Sequence, residues 1–435
     1  MSELALFHIY NEIDKVEEII NTESNEDKLD ELYNLIESIF NYDNILEKKI
    51  YKKFALLDYE KFEKYNLISV LAQYTKYNKI TKFLIEHHNI EAINDYNWSL
   101  LMIASKFNNI ELCKFLINKK VELDSTCKFG RTALMNASKY SNETSSNEIV
   151  KLLIEAGANL DLQDDEGKTS LILACVNSLN LSSIKTVKLL IEAGANLDIQ
   201  DHDNWTALMY ISASNNLDKT LKLLIDSKAK LDLQESEGWT ALMIASKKSF
   251  EKVKLLIKGG ADLNLKNEKG WTALMISSMY SNVDSSNQIV EFLIDSGANL
   301  DLQDKQGETA LMMASRYSNT ISSNETVKLL IDSGANMNLQ DNNGCTALML
   351  TIQNIYRSSS IQTMQLLIDS GTNLYLKNNR ALTAYQLCGE ELKNNMNQLI
   401  MLKVWKIRNL STNHMSDAFS IYNVAVNTYL FLQPK

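Results

Sequence analysis

Four of the five tryptophans, Trp98, Trp205, Trp239 and Trp271, each stand immediately before a serine or threonine that opens the same short phrase. A flat indole that returns in register is chemistry for holding a partner, because aromatic side chains dominate the energetics of protein interfaces. The acids beside them point the same way: Asp164-Asp165-Glu166, Asp201-His202-Asp203 and Glu235-Ser236-Glu237 bring carboxylates close to these rings. Aromatic faces flanked by carboxylates suit a partner segment that carries lysine or arginine, through cation–π attraction and charge steering. Tyr140, Tyr280 and Tyr317 share another position, eight residues after the threonine of the phrase. The candidate contact residues are therefore Trp98, Trp205, Trp239, Trp271, Asp165, Asp203, Glu237, Tyr140, Tyr280 and Tyr317. Packing of each ring between neighbouring turns and plain solvation of acidic loops are the alternatives, and the tyrosines could equally brace a turn.

Chemistry that transforms a substrate shows no such pattern. The histidines, His8, His87, His88, His202 and His414, form no His-x-x-x-His pair, no glycine-rich phosphate loop follows a strand, and no nucleophile elbow occurs. Cys113, Cys127, Cys175, Cys345 and Cys388 are odd in number, far apart and without a Cys-x-x-Cys pair. That argues against a disulfide framework and a zinc site and leaves buried free thiols as the expectation. The chain reads as a non-enzyme, with no catalytic residue, metal or cofactor.

What positions the tryptophans is a repeat. Thr-Ala-Leu-Met returns at Thr132, Thr206, Thr240, Thr272, Thr309 and Thr346, with looser copies at Ser99, Thr169 and Thr383, in steps of 33, 37, 37, 34, 32, 37, 37 and 37 residues. A fixed period of this size signals stacked units that bury their core between neighbours. In residues 301–339, Thr309 precedes Ala310-Leu311-Met312-Met313-Ala314, so its hydroxyl can cap a first helix whose Leu311 and Ala314 share the buried face. A second helix carries Val327, Leu330 and Ile331 and ends at Gly334, which tolerates the left-handed conformation that stops a helix. Each unit is thus two antiparallel helices and an extended turn.

These residues resemble the ankyrin repeat. Gly307-Glu308-Thr309-Ala310-Leu311-Met312-Met313-Ala314 and Leu330-Ile331-Asp332-Ser333-Gly334-Ala335 follow that family's pattern, and the likeness recurs through residues 66–382. The resemblance implies an all-α solenoid of stacked helix pairs with short hairpin-like fingers, helical caps at both ends and a concave face that binds protein. It also implies that the tryptophan position faces the groove. Two departures are systematic: alanine replaces the family's first-turn proline, and methionine, as at Met135, Met209 and Met275, replaces its histidine. The family's threonine-to-histidine bond is lost, so repeats softer than the family ideal are expected. In its AT-biased composition and degenerate phrase the chain is also similar to ankyrin proteins of large amoeba-infecting DNA viruses.

The longer repeats insert a turn between their helices, at residues 141–147, 177–183, 281–287, 318–324 and 354–360, each with a serine pair at one offset. Ser145 with Glu148, and Ser322 with Glu325, have the spacing of a reciprocal capping box that starts the second helix.

Composition bounds the remainder. A net charge of −10 opposes general nucleic-acid binding, and no apolar run approaches the ~18 residues that cross a bilayer. The N-terminus, with Glu3, Glu12, Asp14 and Lys15, lacks the form of a secretory signal, so an intracellular protein is expected, in the cytoplasm (the host's if viral), with the nucleus left open. Three regions are expected: a helical N-terminal region or cap at 1–65, about nine repeats at 66–382 with degenerate first and last copies, and a helical cap and tail at 383–435. The expected function is a monomeric, non-enzymatic scaffold that binds a partner protein with a basic segment. The alternative is a substrate adaptor for a ubiquitin ligase, acting through a terminal segment.

Overall fold

The computed structural model describes residues 97–410 except the short stretches 142–143, 177–182, 216–217 and 283–286, together with positions 72, 78, 81, 82 and 85. The described residues form helices and turns without a strand. The helices come in pairs: α1 (Leu100–Lys106) with α2 (Ile110–Asn118), α3 (Ala133–Lys139) with α4 (Asn147–Glu155), and α5 (Ser170–Val176) with α6 (Ser183–Glu192). Then follow α7 (Ala207–Ala213) and α8 (Asp218–Asp226), α9 (Ala241–Ser246) and α10 (Phe250–Gly259), and α11 (Ala273–Met279) and α12 (Asn287–Asp295). The last are α13 (Ala310–Tyr317) and α14 (Asn324–Asp332), α15 (Ala347–Asn354) and α16 (Ile361–Asp369), and α17 (Ala384–Leu387) and α18 (Glu390–Leu410). The chain divides into two compact units, one ending at His202 and one beginning at Asp203.

The first helices start where the phrase says they should. In α7, α9 and α13 the threonine hydroxyl accepts the amide of the methionine three residues on, at 3.3 Å for Met209, Met243 and Met312. The methionine that displaced the family's histidine is not idle. The Thr132 amide donates to the Met135 sulfur and the Thr272 amide to the Met275 sulfur, both at 3.4 Å, which completes a capping box with a thioether as the acceptor. In α17 a glutamine takes the same place, the Thr383 amide donating to Gln386 Oε1 at 2.9 Å.

Helices of six to eight residues do not hold together alone in water, so stability must come from stacking. In the first unit α3 lies between α1 and α5, and in the second α11 lies between α9 and α13. Leu134, Met135, Leu208, Met209, Leu274 and Met275 are each at most 1% exposed in these contacts. The second helices end at a left-handed residue, as at Gly334 with φ +91°. In two repeats that residue is a lysine, Lys120 at φ +57° and Lys228 at φ +68°.

The inserted turns depart from expectation by one residue. Ser145 and Ser322 do not cap the second helix: Ser146 and Ser323 occupy the cap positions, and the Thr326 amide donates to Ser323 Oγ at 3.2 Å. The first serine of the pair reaches back instead, to a carbonyl near the end of the preceding repeat's first helix. Ser145 Oγ donates to Ser105 O at 2.6 Å, and Ser322 and Ser359 donate to Ser278 O and Ser315 O at 2.7 Å. The physical reason is that this carbonyl is buried and lacks an intrahelical donor, so a hydroxyl within reach is drawn to it. Burial of Ser322 and Ser359 also keeps those hydroxyls away from any phosphate-transferring enzyme.

Successive fingers are laced by main-chain bonds. In the first unit His202 N donates to Glu166 O at 3.1 Å. In the second, Ser236 N donates to Asp203 O and Glu268 N to Glu237 O, at 3.1 and 2.9 Å. The approach is so close that a Cβ on Gly238, at φ +81°, would lie 2.8 Å from the Glu268 nitrogen. Asn and Asp side chains add a second seam through the second unit. Asn264 accepts the Asn299 amide, Asn299 the Asp301 amide, Asp301 the Asn336 amide and Asn336 the Asn338 amide, all at 2.8–3.0 Å. The recurring Asp and Asn thus tie one repeat to the next as well as bending their own turn.

Candidate functional site

The tryptophan column is set by the finger that precedes each first helix. In the first unit Trp98 is only 8% exposed, with Lys106 over its ring at 5.1 Å. The same lysine lies 4.9 Å from the Tyr140 ring. The column then changes to Arg131 and Lys168. Arg131 Nε donates to Asp164 at 3.0 Å, and Lys168 bonds Glu166 at 2.5 Å, which holds the Glu166 carboxyl below the usual carboxylate range. The acids on either side of exposed Asp165 are therefore neutralised from within the chain.

In the second unit Trp205, Trp239 and Trp271 are half-buried. Trp271 is engaged on two sides: its Nε1 donates to Asp304 at 3.1 Å, and Lys269 stands 5.1 Å over the ring. Trp205 packs against Tyr210 with centroids 5.0 Å apart. Trp205 and Trp239 together line a cavity of about 770 Å³. Its other walls are the finger acids Glu235 and Glu237, the end of α7 at Ala213, and the end of α9 at Lys247 and Lys248. Glu235 Oε1 accepts the amides of Glu237 and Trp239 at 3.0 and 2.9 Å, which fixes the loop that carries the indole. Glu237 is exposed, and no ion pair among the described residues holds its carboxylate. Asp203 is exposed, and its carbonyl receives both the amide and the hydroxyl of Ser236.

At Tyr140 and Tyr317 the backbone, rather than the ring, holds the start of the inserted turn. The Tyr140 carbonyl accepts the amides of Thr144 and Ser145, the Tyr317 carbonyl those of Thr320 and Ser322, and the Tyr280 ring lies 5.1 Å from the Lys247 ammonium. All five thiols are free and buried, and burial pushes Cys113 and Cys175 up to about 12. Among the described residues no group of three or more His, Cys, Asp or Glu is arranged to hold a metal ion, and no helix is long and apolar enough to cross a membrane.

Two residues that shape the groove were not singled out from sequence. Lys252, 1% exposed, reaches from α10 to the end of α7, where its ammonium bonds Ile211 O at 2.5 Å and Ser214 O. Ala213 stands seven residues after Thr206, a position held by Lys106, Lys139, Lys247 and Arg316 in other repeats. The signal for Ala213 was present in the repeats once they are aligned. That for Lys252 was not, because a lysine on a helix normally reads as solvated.

Paired short helices, capped at a recurring threonine and laced through their fingers, define an all-α repeat protein of the solenoid class. The profile of ankyrin repeats in three copies matches in seven overlapping stretches that run from 67–164 to 279–378, well over half of the chain. The chain belongs to the ankyrin repeat family. A search among curated proteins finds no match. Among solved structures, the crystal structure of the ankyrin repeat domain of Bcl-3, described as a unique member of the IkappaB protein family, is 26% identical. It covers 53% of this chain and 99% of that one, at a TM-score of 0.46.

Proposed function

We propose that this chain is a non-enzymatic scaffold that holds a partner protein, with the groove between Trp205 and Trp239 as its anchor. The carrying observation is that cavity of about 770 Å³, lined by two indoles on neighbouring fingers and by the ends of two first helices. Ankyrin repeats generally mediate protein–protein interaction, and half-buried aromatics around a concavity are the usual hot spots of such contacts. Trp98 and Trp271 serve the array itself, through Lys106 and through Asp304 with Lys269. The scaffold acts as a monomer inside the cell on a partner whose contact segment is basic. The likeness to viral ankyrin proteins rests on composition and on the degenerate phrase. The adaptor alternative acts through residues 1–65 or 383–435, of which 1–65 and 411–435 lie outside the described residues.

The test uses the full chain as bait in extracts of its own source, in wild-type form and as Trp239→Ala and Trp98→Ala. Trp239→Ala should weaken capture of a specific protein by roughly 2–4 kcal/mol of binding with unchanged thermal unfolding. Trp98→Ala should lower stability and leave capture intact. If Trp239→Ala lost stability and kept its partner, the ring would be packing only and the reading would fall.

A further inference from the structure

We propose that the groove receives one arginine side chain from an extended basic segment of the partner protein, in the space that the chain's own long side chains fill in its other repeats. The proposal rests on the scaffold reading and adds to it the identity of the anchoring group. Seven residues after the capping Ser or Thr stand, in chain order, Lys106, Lys139, Val176, Ala213, Lys247, Met279, Arg316 and Gln353. Ala213 is the smallest of these, and the cavity opens where it stands.

The other repeats show what that position does when a cation occupies it. Lys106 lies 5.1 Å over Trp98, the residue just before its own repeat's cap, and 4.9 Å from Tyr140 of the next repeat. Arg316 pairs with Glu308, which stands in the tryptophan column of its repeat. Lys247 lies 5.1 Å over Tyr280 of the repeat that follows. At Ala213 a methyl group replaces the long cation; the places equivalent to those contacts are Trp205 of the same repeat and Lys248 of the next. The cavity adds the Trp239 indole of the next finger, without a lysine or arginine over it among the described residues, and the exposed Glu237 carboxylate. Of the two lysines on the far wall, Lys247 is drawn on to Tyr280 and Lys248 is exposed at the rim. Arginine fits better than lysine, since a planar guanidinium stacks on an indole and bonds a carboxylate in two places at once.

The test measures binding of a seven-residue peptide, Gly-Ser-Gly-Arg-Gly-Ser-Gly with blocked ends, to the full chain by calorimetry and tryptophan fluorescence. A second peptide carries the neutral isostere citrulline in place of arginine. The arginine peptide should bind saturably, more weakly as salt is raised, and about tenfold more tightly than the citrulline peptide, equivalent to 1.4 kcal/mol. Ala213→Lys and Ala213→Met introduce residues this position carries elsewhere, as Lys247 and Met279, and both should abolish binding with the circular dichroism spectrum unchanged. Two variants guard against misfolding of either one. Asp295→Asn, on an exposed site of α12, should bind as wild type does. Equal binding of the two peptides, no saturable binding by wild type, or undiminished binding by a folded Ala213→Lys or Ala213→Met chain would overturn the proposal. If the captured partner is lost in Trp239→Ala but kept in Ala213→Lys, the scaffold stands and the arginine slot falls. If no partner depends on Trp239 but the peptide still distinguishes the variants, the slot stands and the scaffold reading falls.

Discussion

Replacing Lys252 by methionine should be among the costliest single changes in the second unit. The stem is kept, so the volume in the core between α7 and α10 is nearly unchanged and only the ammonium is removed. That ammonium donates to Ile211 O at 2.5 Å, to Ser212 O at 3.4 Å and to Ser214 O, carbonyls at the end of α7 that have no further turn of helix to satisfy them. In the long repeats a serine hydroxyl serves this place, as Ser322 does for Ser278. The repeat that holds Lys252 has no inserted turn of its own, only Lys247-Lys248-Ser249 between α9 and α10, so no serine pair is there to reach back and the lysine bonds these carbonyls instead. A hydrogen bond from a charged donor contributes about 1.5–3 kcal/mol, and truncating a buried charge that holds several partners costs more because those partners stay buried. Desolvation of the ammonium, which depresses the Lys252 pKa, offsets part of this. The net loss expected for Lys252→Met is roughly 2–4 kcal/mol. Urea unfolding gives the magnitude, with exposed Lys258→Met as a control that should stay within about 0.5 kcal/mol. Amide exchange should localise the loss to α7 and α10, because in a stacked array each repeat answers chiefly to its neighbours. A Lys252→Met chain as stable as wild type, with the Ser212 and Ser214 amides equally protected, would refute the reasoning.

Further outcomes follow from the same physics. Burial holds the Lys252 pKa below its ordinary 10.5. Between the two values the unfolded chain binds the extra proton, so wild-type stability should rise with pH in the window that ends at 10.5, and this increment should be absent from Lys252→Met in parallel melts. Lys228 sits at φ +68° where all other described repeats but that of Lys120 have glycine, so Lys228→Gly should raise stability by about 1 kcal/mol in urea titrations. Gly238→Ala would force a Cβ to 2.8 Å from the Glu268 nitrogen at φ +81°. It should cost roughly 2–4 kcal/mol and loosen the Trp239 finger, seen as a lower midpoint and a shifted indole emission.

Much of the fold was legible because it is local. A threonine before an apolar run, a glycine after one and a constant period mark each helix pair, and those signals act through backbone groups only a few residues apart. The capping-box assignment at Ser145 and Ser322 failed because the competing acceptors, Ser105 O and Ser278 O, lie 40 and 44 residues away. The threonine-to-histidine bond that the methionines remove is replaced in part across the same turn, where the Met135 and Met275 sulfurs accept the cap amides of Thr132 and Thr272.

The tryptophans show the same division. Their shared position before each cap follows from the chain alone, because the period places equivalent residues at equivalent points of every unit. What surrounds each ring does not follow. Lys106 covers Trp98, Asp304 and Lys269 take Trp271, and a short Ala213 leaves a cavity beside Trp205 and Trp239. Sequence by itself determined the repeat, its helices, their caps and the column in which the tryptophans stand, since each depends on neighbours within one unit. Only the tertiary structure decided which members of that column are spent on the array and which face open space, because those contacts join side chains from different repeats whose meeting depends on how the units stack.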